Sequence, residues 1–357
     1  IEPLARGEDN LGGKHGNTQV PKLYGELKNY LYTGDSTNGK AATFFWDRVV
    51  FHHSFATGGH GHDEYFGPPD KLNGIVDGRT AETCNVYNML KMTRTLFALD
   101  PSPRYAEFQE RALFNHILAS IDPEDGRTCY MVPVGRGVTH EYQDMLRDFT
   151  CCVGTGMESH ALHGDGIYCA TSDKLWVNIF APSTAEWKAA KAKIEMQTDF
   201  PEGESVTLKL GLTAARTFTL AVRRPSWAGE GFSVRVNGKA VAGVQAGTFH
   251  KIERKWKQGD KVEIVFPMQP RLSRWFHNSV AVERGPLVYS LKIGEDWKKV
   301  KDREKASDWS VAPTTPWNYG LVFDASAPQK SFEAEERPVG DYPFSPEGAP
   351  VLLKAKG

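Results

Sequence analysis

Apolar residues in the first third of the chain recur at helical spacing. Val20, Leu23, Leu27 and Leu31 share one face and stop at Gly34, a residue suited to the left-handed position after a helix. Ala42, Phe45, Trp46, Val49 and Val50 make a second stripe. Val86, Leu90, Thr93 and Phe97 make a third, which ends before Asp100-Pro101. Ser102-Pro103 opens a fourth helix, with Tyr105, Phe108, Ala112, Leu113 and Ile117 on one side. The stretch from Gly156 to Ala170 predicts one more. Between the second and third stripes runs a long connection, Ala56 to Ala81. Ordered connections of that length inside a compact domain are usually functional.

Near residue 172 the period changes from 3.6 to 2. Leu175–Phe180, Val206–Leu212, Phe218–Val222, Phe232–Val236, Phe249–Trp256 and Val262–Phe266 predict short strands. Asn237-Gly238 and Gln258-Gly259-Asp260 supply turns between them. Strands at this spacing predict a β-sandwich. A further β-rich stretch begins near Ser273, with Val280–Glu283 and Leu287–Leu291 as strands, and the last 50 residues are weakly patterned. The expected organisation is α+β and multidomain: a helical region over 1–171, a β-sandwich over 172–273, and a second, incomplete β-rich domain over 274–357.

Composition narrows the function classes. With 43 Lys+Arg against 44 Asp+Glu, the net charge of −1 gives no general attraction to nucleic acid or to an anionic membrane surface. No apolar run approaches the roughly 20 residues of a membrane span. The five cysteines, Cys84, Cys129, Cys151, Cys152 and Cys169, are odd in number and two are adjacent, which is not a disulfide framework. The chain begins at Ile1 with no signal pattern, and this carries no information about compartment.

The chemistry concentrates in two places, Glu82-Thr83-Cys84 and Cys151-Cys152. Three thiols and a carboxylate complete a tetrahedral set for zinc, although the spacing fits no zinc finger or ribbon. From spacing alone, buried thiols acting as small hydrophobes explain the same residues equally well. Cys129 and Cys169 lie in apolar surroundings and read as core. On the long loop, His60 and His62 stand beside Asp63 and Glu64 as candidate sugar contacts or satisfied polar residues. Tyr142 is a candidate for the same role or for core filling.

Several motifs together resemble the bacterial β-L-arabinofuranosidases of glycoside hydrolase families 127 and 146. They are Gly12-Gly-Lys-His-Gly-Asn-Thr-Gln-Val-Pro-Lys22, Ala81-Glu-Thr-Cys-Asn-Val-Tyr-Asn-Met-Leu-Lys91, Arg111-Ala-Leu-Phe-Asn-His-Ile-Leu118 and Cys151-Cys-Val-Gly-Thr-Gly-Met-Glu158. Leu175–Phe180 with Ala185-Glu-Trp187 resembles the entry to the family's first β-domain. The likeness covers most of residues 11–190 in the right order, and its wording sits closer to family 146.

The resemblance implies a partial (α/α)6 barrel followed by β-domains, zinc held by Glu82, Cys84, Cys151 and Cys152, and Cys151 as nucleophile. It places Glu64 as general acid/base, with Asp63 as rival, and His15 as a substrate contact. It implies a retaining glycosidase that takes β-L-arabinofuranosyl residues from oligo- or polysaccharides of plant cell walls, secreted or periplasmic in a bacterium. Residues 1–170 supply about half of the twelve barrel helices, so an open half-barrel with exposed apolar helix faces is expected. Most retaining glycosidases use two carboxyl groups, and here a thiolate replaces one. A free thiol is only a few per cent ionised at pH 7, whereas zinc coordination deprotonates it outright. Two alternatives are the same mechanism on another pectic furanoside, and a non-catalytic carbohydrate-binding fragment with a structural zinc. A zinc hydrolase activating water is disfavoured because no His-Glu-x-x-His ligand set is present.

Overall fold

The structure is a computed structural model that describes residues 1–122, 124–135, 139–243, 245–303 and 307–357. After a one-turn helix α1 (Glu2–Ala5) come α2 (Gly16–Thr33), α3 (Ser36–His52), α4 (Thr83–Leu99) and α5 (Pro103–Ala112). A π-turn, Leu113–Ile117, prolongs α5. A short strand β1 (Thr139–Glu141) and helix α6 (Cys151–Ala161) complete the helical part. Gly34 ends α2 in the left-handed conformation the sequence predicted, at φ 75°. Val20, Leu23 and Leu27 are buried, but Leu31, the last member of that stripe, is exposed.

The expected helix over Gly156–Ala170 needs correction. The helix starts at Cys151 and stops at Ala161, and Tyr168–Ala170 is a strand. The cysteines therefore open the helix instead of preceding it. Gly156 allows that helix to lie close: a Cβ there would stand 2.6 Å from the Thr128 hydroxyl.

The β-region forms two facing sheets. One contains β2 (Tyr168–Ala170), β3 (Lys174–Val177), β7 (Arg216–Arg224) and β10 (Thr248–Trp256). The other contains β4 (Ser183–Trp187), β5 (Ala192–Thr198), β6 (Ser205–Leu212), β8 (Ser233–Val236), β9 (Lys239–Ala240) and β11 (Lys261–Val265). Leu175, Val177, Leu220, Val222, Ile252 and Trp256 of the first sheet share one apolar core with Ile194, Met196, Leu208, Val234, Val262 and Ile264 of the second. Alternation turns Trp176 and Ala221 the other way, into the core built by α2–α5. Leu175–Val177 of β3 and Leu220–Val222 of β7 are thus buried on both faces, and the order of layers there is helices, sheet, sheet. That explains why Leu175-Trp-Val177 is continuously apolar. Asn237 and Gly238, both at positive φ, form the predicted turn between β8 and β9.

A buried ion pair ties the layers together. Arg223 on β7 bonds to Glu110 on α5, both sequestered from solvent. Trp227 Nε1 also donates to Glu110, at 2.8 Å, and Arg223 Nε donates to the Asn178 carbonyl at 2.6 Å. Removing one partner strands a buried charge, which typically costs about 3–5 kcal/mol. Arg223→Met is expected to lower the stability of this unit by that amount in a urea titration. A loss under about 1 kcal/mol would mean that the pair contributes little beyond an apolar contact.

The remaining strands are β12 (Pro270–Arg274), β13 (Val280–Arg284), β14 (Leu287–Tyr289), β15 (Glu295–Lys301), β16 (Asp308–Pro313), β17 (Glu333–Glu336) and β18 (Val351–Lys354). Asn115 pins the β12–β14 sheet to the helical part. Its side chain donates to the Pro286 carbonyl and accepts from Val288 N–H. β15 pairs antiparallel with β16, which opens the weakly patterned last 50 residues, and β16 adds β1 as a third strand through Glu141↔Asp308 and His140↔Trp309.

Candidate active site

Two helix starts converge on the four residues Glu82, Cys84, Cys151 and Cys152. Glu82 is the N-cap of α4 and Cys84 lies in its first turn. Cys151 and Cys152 are the first two residues of α6. Helix N-termini favour negative charge and lower thiol pKa values, so the arrangement suits thiolates. One ligand atom from each of the four lies within 4.8 Å of all the others. Cys84 Sγ is 3.0 Å from Cys152 Sγ, and Cys151 Sγ is 3.4 Å from Glu82 Oε1. Glu82, Cys84 and Cys152 are buried, whereas Cys151 is exposed.

Electrostatics agree with a metal-binding set. Burial, reinforced by negative charge on Cys151, pushes the Glu82 carboxyl up to about 8. Hydrogen bonds from the Cys152 and Cys84 thiols hold Cys151 well below the usual thiol range, and those same contacts push Cys84 and Cys152 up. Glu82 Oε2 is buried with no hydrogen-bond partner in the structure. Three sulfurs and an oxygen within this span, with an orphaned carboxylate oxygen among them, fit a four-coordinate zinc ion.

Glu64 reaches the cluster through a residue that sequence reasoning missed. Tyr130 Oη donates to Glu64 Oε1 and lies 3.9 Å from Cys151 Sγ. Burial first, and then the bond to Glu64, raise the Tyr130 phenol. His15 Nε2 stands 3.4 Å from the second Glu64 oxygen. Its Nδ1 accepts the Thr18 N–H that it caps at the start of α2, so in the neutral ring Nε2, the nitrogen nearer Glu64, carries the proton.

The backbone at Glu64 is unusual. Asp63 and Glu64 have φ of 45° and 70°, and His62 and Tyr65 exchange both main-chain hydrogen bonds around them. This is a two-residue hairpin turn of the kind that normally takes Asn-Gly. The left-handed conformation costs a residue such as Glu roughly 1–2 kcal/mol. A main-chain bond from Gly16 N–H to the Glu64 carbonyl, at 2.7 Å, helps to hold it. Backbone strain of this kind clusters at active sites and ligand clamps.

The other predicted residues fall in different places. Asp63 faces Arg79 and has no contact with the cysteines. His62 is held at 2.7 Å by Asp77, at the base of the same hairpin. His60 is corrected: it is fully buried, stacked on Phe66, and lowered to about 3 by burial, so it presents nothing to a substrate. Tyr142 contacts His140 and Arg127, and its carbonyl accepts from Arg303; none of these touches Glu64 or Cys151. A signal for Tyr130 was available in the sequence only as an aromatic beside Cys129.

Fold and cluster together define a helical domain that bears a cysteine–glutamate site and is joined to β-domains. Residues 1–165 match the family model of the GH127 β-L-arabinofuranosidase catalytic domain, and residues 174–268 match that of its middle domain. The chain belongs to the GH127 β-L-arabinofuranosidase family, one of the two that its motifs resemble. It is 27% identical to a non-reducing end β-L-arabinofuranosidase of Bifidobacterium longum, over 91% of this chain and 55% of that protein. Its fold is similar to that of a GH127 β-L-arabinofuranosidase from Geobacillus stearothermophilus T6. That likeness has a TM-score of 0.68 and 22% identity, over 87% of this chain and 59% of the other. A second structure, a glycoside hydrolase, gives a TM-score of 0.69 at 21% identity, over 88% of this chain and 62% of the other. The chain thus spans little more than half the length of these relatives.

Proposed function

We propose that the chain carries the chemistry of a retaining glycoside hydrolase that releases β-L-arabinofuranosyl residues from oligo- or polysaccharides of plant cell walls. In this reading Cys151 is the nucleophile, Glu64 is the acid/base, and α2–α6 are part of an (α/α)6 barrel. One observation carries the reading: a single phenol, Tyr130, touches both Glu64 and the only exposed sulfur of the cluster. One ordinary hydrogen bond plus that 3.9 Å contact keeps the carboxyl and the sulfur within about 7 Å. That bound reaches from the roughly 5 Å of retaining enzymes into the wider spacing of inverting ones, so the retaining assignment rests on the exposed sulfur as nucleophile.

Cys151 Sγ attacks the anomeric carbon while Glu64 gives its proton to the departing oxygen. The C–O bond breaks and a thioglycosyl link to Cys151 forms. Glu64, now ionised, takes a proton from water as that water displaces the sulfur. Tyr130 orients the carboxyl throughout, and His15 stands 3.4 Å from its other oxygen. Glu82, Cys84, Cys151 and Cys152 would hold a zinc ion, whose charge would keep the Cys151 sulfur ionised at neutral pH and make it a better leaving group. A structural staple made from the same four residues would have no use for an exposed sulfur facing a carboxylate.

The test is metal content by mass spectrometry beside turnover of p-nitrophenyl β-L-arabinofuranoside. One zinc per chain with turnover is expected. Zinc without turnover would favour the staple, and no zinc at all would overturn the four-residue site. Tyr130→Phe keeps the ring and removes the bond to Glu64. It should lower kcat roughly 10- to 100-fold, the value of a hydrogen bond to a charged group, with KM little changed. An unaltered kcat would mean that the phenol is a bystander.

A further inference from the structure

We propose that Arg79 is a positioning residue that sets the Glu64 carboxyl against Tyr130, by clamping together the two chain segments that carry them. The inference rests on the reading of Glu64 as acid/base. Glu64 and Tyr130 come from separate parts of the chain, the tip of a strained hairpin and the segment leading towards β1. Their own hydrogen bond does not fix how those segments approach each other.

Arg79 spans that gap. Its Nε donates to Asp63, the residue immediately before Glu64 in the turn. Its Nη1 donates to Glu141 Oε1 at 2.9 Å. The main chain repeats the connection on each side. The Arg79 carbonyl accepts from Asp63 N–H at 2.9 Å, and the Glu141 carbonyl accepts from Tyr130 N–H at 3.1 Å. One guanidinium therefore links the residue before the acid/base to the strand residue that fixes Tyr130.

The choice of arginine follows from its shape. A planar fork holds two carboxylates in a set relation, whereas an ammonium is a point charge that fixes neither direction. Arg79 and Asp63 are each about half exposed, at 47% and 51% of the side chain. Exposed pairs contribute little to stability, so the clamp is expected to act on geometry more than on folding. It also accounts for Asp63. Engaged by Arg79, and with His62 Nδ1 at 3.8 Å, that carboxylate holds the turn and is not a second acid.

A misplaced acid has a signature that loss of folded protein lacks. It slows substrates with poor leaving groups, which need the proton, far more than activated ones. Arg79→Gln should reduce kcat/KM on methyl β-L-arabinofuranoside by about 10-fold or more, and on the p-nitrophenyl glycoside by less than about 3-fold. Arg79→Lys should fall between this variant and the wild type. Glu141→Gln, which loosens the other arm, should show the same split. Equal falls on both substrates, or no fall, would overturn the clamp. Glu64→Gln separates the two claims. If it shows the leaving-group split and Arg79→Gln does not, only the clamp fails. If Glu64→Gln shows none, or if the wild type turns over neither substrate, the acid/base reading fails and takes the clamp with it.

Discussion

Cys151→Ala should abolish turnover of p-nitrophenyl β-L-arabinofuranoside, by about 10⁴-fold or more, as removal of a covalent nucleophile does in other enzymes. It should nevertheless retain much of its metal. The three ligands left, Glu82, Cys84 and Cys152, are the buried ones, and the start of α4 holds two of them whatever occupies position 151. Cys152→Ala is the contrasting variant. Its sulfur is buried against Cys84 and the Tyr130 carbonyl, with no path to a sugar, so its loss should weaken metal binding first and activity only as a consequence. Metal content read beside activity distinguishes the two. A Cys151→Ala protein that keeps a tenth of wild-type turnover cannot be using that sulfur as its nucleophile.

Period and punctuation made most of the architecture legible. The stripes of α2–α5 and the alternation of β6, β7, β10 and β11 are one-sided patterns, and burial converts them directly into elements. What failed to show was set by tertiary pairing. Ala192, Ile194 and Met196 alternate inward with Lys193, Glu195 and Gln197 outward, but this short period follows Lys188-Ala-Ala190 without a Gly or Pro boundary and does not read as a strand. The hairpin β15–β16 has a largely exposed β15, and it is held by pairing with β1, nearly 170 residues earlier. No local pattern announces such a partner.

The site divides in the same way. Glu-x-Cys and Cys-Cys stood out in the sequence, but spacing alone left them open between a metal set and buried thiols, and only the family resemblance joined them into one site. Glu64 was legible by its place in a long loop, but its separation from Asp63 was not. Only the turn at positions 63–64 shows that adjacent carboxylates point to different partners, Tyr130 and Arg79. His60 misled because a loop histidine beside a glutamate looks available. Its ring instead fills a cavity against Phe66, a contact created by the fold of the loop on itself.

Helix α6 carries the second large expected effect. In its eleven residues only Cys152, Val153 and Gly156 are buried, and Gly156 contributes no side chain. A helix this short is marginal by itself in water and ordinarily owes its stability to an apolar face packed on the fold. Here that face is nearly absent: beyond the cysteines of its first turn, only buried Val153, the Thr155 hydroxyl beside Cys84 and the close approach of Gly156 to Thr128 tie it to the domain. If those sulfurs share a metal with Glu82 and Cys84, the ion anchors α6 to α4. Free zinc at a thousand times its Kd would then stabilise that unit by about 4.1 kcal/mol, roughly a thousand-fold in the local opening equilibrium. Stripping the metal with a strong chelator should therefore raise amide hydrogen exchange across residues 151–161 by two to three orders of magnitude. Amides of β6, β7 and β11, whose cores lie in the sandwich, should stay protected. Restored zinc should restore the slow exchange. Exchange that is indifferent to the chelator would show that Val153 and the Thr128–Gly156 contact hold the helix unaided, and the four residues would then be a thiol cluster and not a metal centre.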